Sequence, residues 1–251
     1  MMTVLPPDGA NARESLATLM GDLLEGGRYL RRVFLDRPDR VAFRDMPLIE
    51  NDRHELGVVL IRSGFAFRSF ALAEGRRAIL DILIAGDIVG LDRAVMRHPV
   101  DDVAAASRVQ YHVLSVSEIR ELMANHRVAL WICALLAETS WRISRMAISI
   151  SRLDAQARVS LFLLDIYDRL RRRRLVNGEA TFNLPLTQEQ IADHLGLTQV
   201  HLNRTLRRLR QEGLALVDRH LVSILDIDRL RELVKDFPQQ YELPEPLVEG
   251  G

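Results

Sequence analysis

The spacing of apolar residues changes along this chain. From 54 to 114 the apolar positions come in short runs: 56–61, 65–72 (with Phe65, Phe67 and Phe70), 78–84, 88–91, 103–106 and 109–114. They are broken at Ser63-Gly64, Glu74-Gly75 and Ala85-Gly86-Asp87. Short runs at near-regular spacing predict a small antiparallel barrel or sandwich. From Asn125 or His126 to about Ile150 the period becomes helical, and two apolar seams run along it. One is Ile132, Leu136, Ile143, Ala147 and Ile150; the other is Leu130, Ala134, Ala137, Trp141 and Ile148. A helix apolar on two faces is buried on two sides. That predicts one seam on the β-domain and the other on a second copy of the chain; burial wholly within one subunit is the alternative. Leu153-Asp154 reads as a hinge with Asp154 as a cap, followed by a helix with a core stripe of Val159, Phe162, Leu163, Ile166 and Leu170.

The densest local signals lie in 186–213. Thr187 with Gln190 three residues on forms a capping-box pattern, and Ile191, Ala192 and Leu195 share a helical face. Gly196 supplies the permissive backbone of a sharp turn. Thr198 caps a second helix, 198–212, striped by Leu202, Leu206 and Leu209 and ended at Gly213. The runs 214–217 and 221–225 flank Asp218-Arg219-His220 and predict a hairpin, with 182–184 as a third short strand. At the other end of the chain, Ser15 is read as the cap of a helix carrying Leu16, Leu19, Met20, Leu23 and Leu24, ended by Gly26-Gly27. Residues 29–49 give a mixed pattern. Ser117 is read as the cap of a short helix, residues 228–235 as a last helix, and 237–251 as a tail.

Charge changes this picture locally. Acids and bases balance over the 251 residues, yet the second helix of the pair carries Gln199, His201, Asn203, Arg204, Arg207, Arg208 and Arg210, with no acid before Glu212. A capped scaffold helix, a glycine turn and a helix with a basic polar face are the grammar of helix-turn-helix DNA binding, and the hairpin makes it the winged form. A solvated helical hairpin is the plain alternative.

These residues carry a resemblance. The segment 153–225 resembles the C-terminal domain of the Crp/Fnr family of bacterial transcription regulators, most specifically over 186–214. The resemblance implies that a polar residue, a Glu and an Arg read DNA. Matched by position, these are Gln199, Val200 and Arg204, so the Arg is present and valine stands in place of the Glu. The implied DNA-binding set is Thr187, Gln188, Thr198, Gln199, Val200, His201, Asn203, Arg204, Arg207, Arg208 and Arg219. Residues 64–92 likewise resemble the family's β-roll sensor. In members that bind cyclic nucleotides, a Gly-rich turn is followed by a Glu for the ribose and an Arg for the phosphate. Here Leu91-Asp92 falls at the Glu, and Asp101-Asp102-Val103-Ala104 falls where the cation belongs. Two carboxylates and no cation would not hold a phosphate. The family's Thr-Ser pair on the central helix falls on Ile143-Ser144. Cyclic AMP is therefore not the expected effector. Arg76 and Arg77 are read as a solvated turn, and Arg171 to Arg174 as a helix C-terminus favourable to cations.

The expected fold is α+β: a β-roll of the cyclic-nucleotide-binding jelly-roll type, a long dimerisation helix and a winged helix-turn-helix. The divisions are 1–28, 29–126, 127–152, 153–236 and 237–251. Dimerisation is assigned to Ile132, Leu136, Ile143, Ala147 and Ile150. An enzyme is not expected, because His54, His98, His112, His126, His194, His201 and His220 show no metal-ligand spacing and no nucleophile–base arrangement stands out. Neither a catalytic residue nor a cofactor is assigned. The single Cys133 cannot supply the four thiolates of an iron–sulfur cluster, which leaves haem as an alternative that an absorbance spectrum would reveal. Double-stranded DNA and a second copy are the expected partners, with RNA polymerase added if the protein activates. No signal peptide is read at the N-terminus, and the apolar run 128–137 is well short of the roughly 18 residues a membrane span needs, so a cytoplasmic protein is expected. A protein-interaction module that kept this fold without reading DNA is the alternative function.

Overall fold

The computed structural model describes residues 9–49, 57–72, 77–96, 101–176 and 180–237. His54, Arg76, His98 and the Glu74-Gly75 turn lie outside the described residues, as does all of the expected tail beyond Phe237.

The chain begins with α1 (Gly9–Leu35). It runs straight through Gly26 and Gly27 and starts upstream of Ser15, against the expectation of a capped helix ended by the glycine pair. The reason is tertiary. A Cβ on Gly26 would stand 2.0 Å from the Arg127 carbonyl oxygen, so the glycine marks a close helix crossing. Leu23, Leu30 and Phe34 of α1 are buried there with Val128, Trp131 and Ile132.

Two antiparallel four-stranded sheets follow, with strand orders β1-β8-β3-β6 and β2-β7-β4-β5. The strands are β1 (Arg40–Ala42), β2 (Pro47–Ile49), β3 (Gly57–Ser63), β4 (Phe65–Ala71), β5 (Arg77–Ile84), β6 (Ile88–Val89), β7 (Asp102–Ala105) and β8 (Val109–Ser115). Between the sheets lie Val59, Ile61, Ala66, Leu83, Val103, Val109 and others. The roll is the expected one, and β1 and β2 fall within the stretch whose pattern was mixed. A 3-10 turn (Leu91–Ala94) leaves β6. The helix after β8, α2 (Val116–Leu122), is capped by Ser115, not Ser117. Ser115 closes a capping box with Glu118, and Ser117 lies inside the helix.

Asn125 caps the long helix α3 (His126–Arg152). The two expected seams do not divide between roll and partner as read. Of the first, Ile132 is buried within the subunit, Leu136 and Ile143 are half-buried, and Ala147 and Ile150 are exposed. Of the second, Leu130, Ala134 and Trp141 are half-buried, and Ala137 and Ile148 are exposed. The side buried in the subunit shares only Ile132 with these seams: it carries Val128, Trp131 and Ile132, then Glu138, Arg145 and Ser149.

The rest forms the winged module. Asp154 caps α4 (Ala155–Arg172), whose Val159, Phe162, Leu163, Ile166 and Leu170 are buried as expected. Next come β9 (Thr181–Asn183), α5 (Gln188–Leu195), α6 (Gln199–Gln211), β10 (Ala215–Asp218), β11 (Leu221–Ile224) and α7 (Ile227–Glu232). The wing sheet has the order β10-β11-β9. Its core is continuous with the outer face of the roll: Phe65, Phe67, Ile79, Ile82 and Ile84 share one cluster with Phe162, Ile166, Ile191 and Leu195. Strand β5 is thus apolar on both faces because each face is covered. Polar contacts reinforce the junction. Arg77 pairs with Asp193 at 3.1 Å and lies over the Phe67 ring, so it is a junction residue and not a solvated turn. Arg44 donates to the Pro185 carbonyl at 3.0 Å.

Candidate nucleic-acid interface

The turn between α5 and α6 is built by local hydrogen bonds. The Thr187 hydroxyl accepts from Gln190 N at 3.1 Å, and the Gln190 side-chain oxygen accepts from Thr187 N at 2.9 Å. Gly196 takes φ 61, which a side chain rarely adopts. Thr198 then accepts from His201 N at 3.2 Å and starts α6. Leu202 and Leu209, both fully buried, fix the roll angle of α6 on the module. The opposite face is left open: Gln199, Val200, His201, Arg204, Arg207, Arg208 and Arg210 are exposed, Val200 at 72%, and Asn203 is half-buried. Thr187 and Gln188 are exposed at the start of α5, and Arg219 is exposed at the wing turn with φ 52.

Arg204, Arg207 and Arg210 have no carboxylate partner among the described residues. Arg208 differs. Its Nε donates to Glu212 Oε1 at 2.8 Å, while Gln156 Nε2 donates to Glu212 Oε2 at 2.6 Å. Hydrogen bonds from Arg208 and Gln156 hold the Glu212 carboxyl below its ordinary range. A convex helix carrying uncompensated guanidiniums has the shape and charge to enter a major groove.

A second feature lies between the roll and α3. A cavity of about 280 Å³ is bounded by Arg68, Asp81, Gly90, Asp92, Arg142 and Ser144, among others. Of the two carboxylates expected without a cation, Asp101 does have one. Arg68 Nε donates to Asp101 Oδ2 at 2.5 Å and approaches Asp92 at 3.9 Å. Arg68 comes from β4, far from Asp101 in the chain, which is why the local reading of 101–104 missed it. Burial works against the Arg68 charge, and Asp101, with Asp81 and Asp92, more than offsets it. Arg142 is bound by Asp81 at 2.7 Å. Thr139 and Ser140, one turn before Ile143-Ser144, also line the cavity.

Residues 157–233 match the Crp-like helix-turn-helix domain family. Over 188 residues the chain is 27% identical to the transcriptional activator protein FnrL of Cereibacter sphaeroides, covering 71% of this chain and 73% of that one. These matches support a Crp/Fnr family regulator. The nitrogen fixation regulation protein FixK of Rhizobium meliloti is also 27% identical, over 163 residues that cover 64% of this chain and 71% of that protein. Among solved structures, FixK2 from Bradyrhizobium japonicum has a TM-score of 0.70 at 23% identity, covering 78% of this chain and 96% of that chain, which establishes the shared fold.

Within this Crp/Fnr frame, the DNA-binding set read from the sequence falls on the start of α5, on α6 and at the wing tip. The set expected for dimerisation is split, as α3 shows. Of the four arginines at the end of α4, Arg173 is not a free basic end. It donates to Asp87 Oδ1 at 2.8 Å and to the Ala85 carbonyl at 2.7 Å. The Arg208–Glu212 pair has the local i,i+4 spacing of a helix, but Gln156, which holds Glu212, has no local signal, because no local pattern links residues 56 positions apart. Among the described residues no helix is long and apolar enough to cross a membrane.

Proposed function

We propose that this Crp/Fnr chain works as a homodimer that reads a palindromic duplex with α6, one helix per half-site. The observation that carries the reading is the exposed face of α6 opposite the buried Leu202–Leu209 stripe, where Arg204, Arg207 and Arg210 stand without carboxylate partners among the described residues. Arg204, on the second turn, offers a pair of donors that match guanine O6 and N7. Gln199 and His201 lie at the helix start near base edges. Arg207 and Arg208 lie further along and meet phosphates, which position without reading sequence. Val200 offers only an apolar contact. The second copy joins through the open side of α3, where Ala137, Ala147, Ile148 and Ile150 are exposed. The effector is not a cyclic nucleotide, RNA polymerase is the further partner if the protein activates, and the compartment is the cytoplasm.

The test is selection of binding sites from random duplex DNA by the purified full-length protein, with its mass in solution measured alongside. Enrichment of a two-fold symmetric site containing a guanine in each half supports the reading. A folded, dimeric protein that enriches no sequence overturns it in favour of an interaction module that kept the fold.

A further inference from the structure

The turn between β5 and β6 does two things at once. Residues Ile88 to Asp92 continue from it to form one wall of the cavity between roll and α3. Asp87, two residues past Ala85, turns the other way into the reading module. Its side chain is buried. Oδ2 accepts from the Ile84 amide at 2.7 Å and from Arg169 Nη2 at 2.6 Å, and Oδ1 accepts from Arg173 Nη2 at 2.8 Å. The same guanidiniums reach the roll backbone: Arg169 Nη1 donates to the Ile82 carbonyl at 2.9 Å, and Arg173 Nη1 to Ala85 at 2.7 Å. Gly86 has φ +93, and a Cβ there would meet Arg173 Nε at 3.3 Å. Burial alone would raise the Asp87 carboxyl, but the charges of Arg173, Arg169 and Arg142 outweigh it and hold it well below the usual carboxylate range.

The apolar contact between roll and reading module is non-directional and tolerates sliding. Charge-assisted hydrogen bonds are short and directional. From Arg169 back to Gln156 is 13 residues of one helix, about 20 Å at 1.5 Å per residue. At that far end Gln156 holds Glu212, which holds Arg208 at the base of the reading helix. One rigid helix therefore joins the cavity wall to α6 inside a single subunit, without passing through α3.

Resting on the reading of α6 as the DNA-binding helix, we propose that Asp87 is a positioning residue for DNA recognition: through Arg169 and Arg173 it fixes the angle of the reading module on the roll, and with it the spacing of half-sites the dimer accepts. A change in the cavity that moves residues 88–92 acts on DNA binding by this route.

The experiment uses the full-length protein and the palindrome obtained by site selection, together with versions whose central spacer is one base pair shorter or longer. One base pair rotates the half-sites by about 35°, given 10–10.5 base pairs per turn. Wild type is expected to prefer its own spacer by about tenfold or more. Asp87→Asn and Arg173→Gln are expected to bring the three spacers to near parity while random-sequence binding changes by one common factor. Because Asp87→Asn leaves buried guanidiniums without their anion, Arg173→Gln, at the more open edge, decides if the former does not fold. Folded variants that keep the wild-type spacer ratio, or that lose affinity equally for every spacer, overturn the proposal. A wild type that binds no palindrome refutes the reading of α6 instead.

Discussion

Cyclic AMP and cyclic GMP are expected not to bind in the cavity between roll and α3, and the reason is the Arg68–Asp101 pair. Arg68 and Arg142 both line the cavity; Asp101 already occupies Arg68 at 2.5 Å with both side chains largely buried, and Asp81 occupies Arg142 at 2.7 Å. A phosphate has two routes. It can share the guanidinium, which leaves two anions about 5 Å apart and costs about 3 kcal/mol at an effective dielectric of 20. Or it can displace Asp101, whose side chain is 5% exposed, leaving an unpaired buried carboxylate at a cost of about 3–5 kcal/mol. Asp92, within 3.9 Å of the same guanidinium, makes both routes worse. These penalties move a micromolar affinity to roughly 0.1 mM or weaker. Titration calorimetry of the purified protein with each nucleotide is expected to show no saturation in the micromolar range. Saturation in the micromolar range would refute the argument, and Asp101→Asn then distinguishes whether the carboxylate was ever the barrier.

Replacing Arg204 by Ala is expected to cost roughly 1–3 kcal/mol of specific binding and to relax preference at one guanine per half-site in a mobility-shift series, whereas Arg208→Ala weakens specific and random DNA alike and flattens the salt dependence. Leu136→Glu puts a charge beside the open side of α3, at a cost of several kcal/mol to association, and sedimentation is expected to show a folded monomer. Gly26→Ala forces a methyl to within 2.0 Å of the Arg127 carbonyl, and urea unfolding is expected to report a loss of about 1–3 kcal/mol.

What was legible in the chain, and what was not, divides by the range of the interaction. Thr187, Gly196, Thr198 and Asp154 were readable because caps and turns are set by neighbours within a few residues. The strands of the roll were readable because glycine turns punctuate them. Gly26-Gly27 misled for the same local reason: two glycines end a helix by propensity, and only the crossing of α1 over α3 explains why they continue one here. The cation for Asp101 comes from Arg68, 33 positions away, and the anion for Arg173 from Asp87, 86 positions away. Ser115 displaced Ser117 as a cap because Glu118 stands at the third helical position from it, the spacing a capping box requires.

The double-faced strand β5 limits how this protein can be taken apart. Severing the chain near Asp154 would strip the cover from Phe65, Phe67, Ile79, Ile82 and Ile84 on one piece and from Phe162, Ile166 and Ile191 on the other. Neither half would be a clean module: each would carry an exposed apolar patch of the kind that drives aggregation. A recombined regulator that takes its reading half from another relative would inherit the new operator only if the incoming helices fit this sheet. Substitutions along the exposed face of α6 leave that junction intact, whereas exchanging whole halves does not.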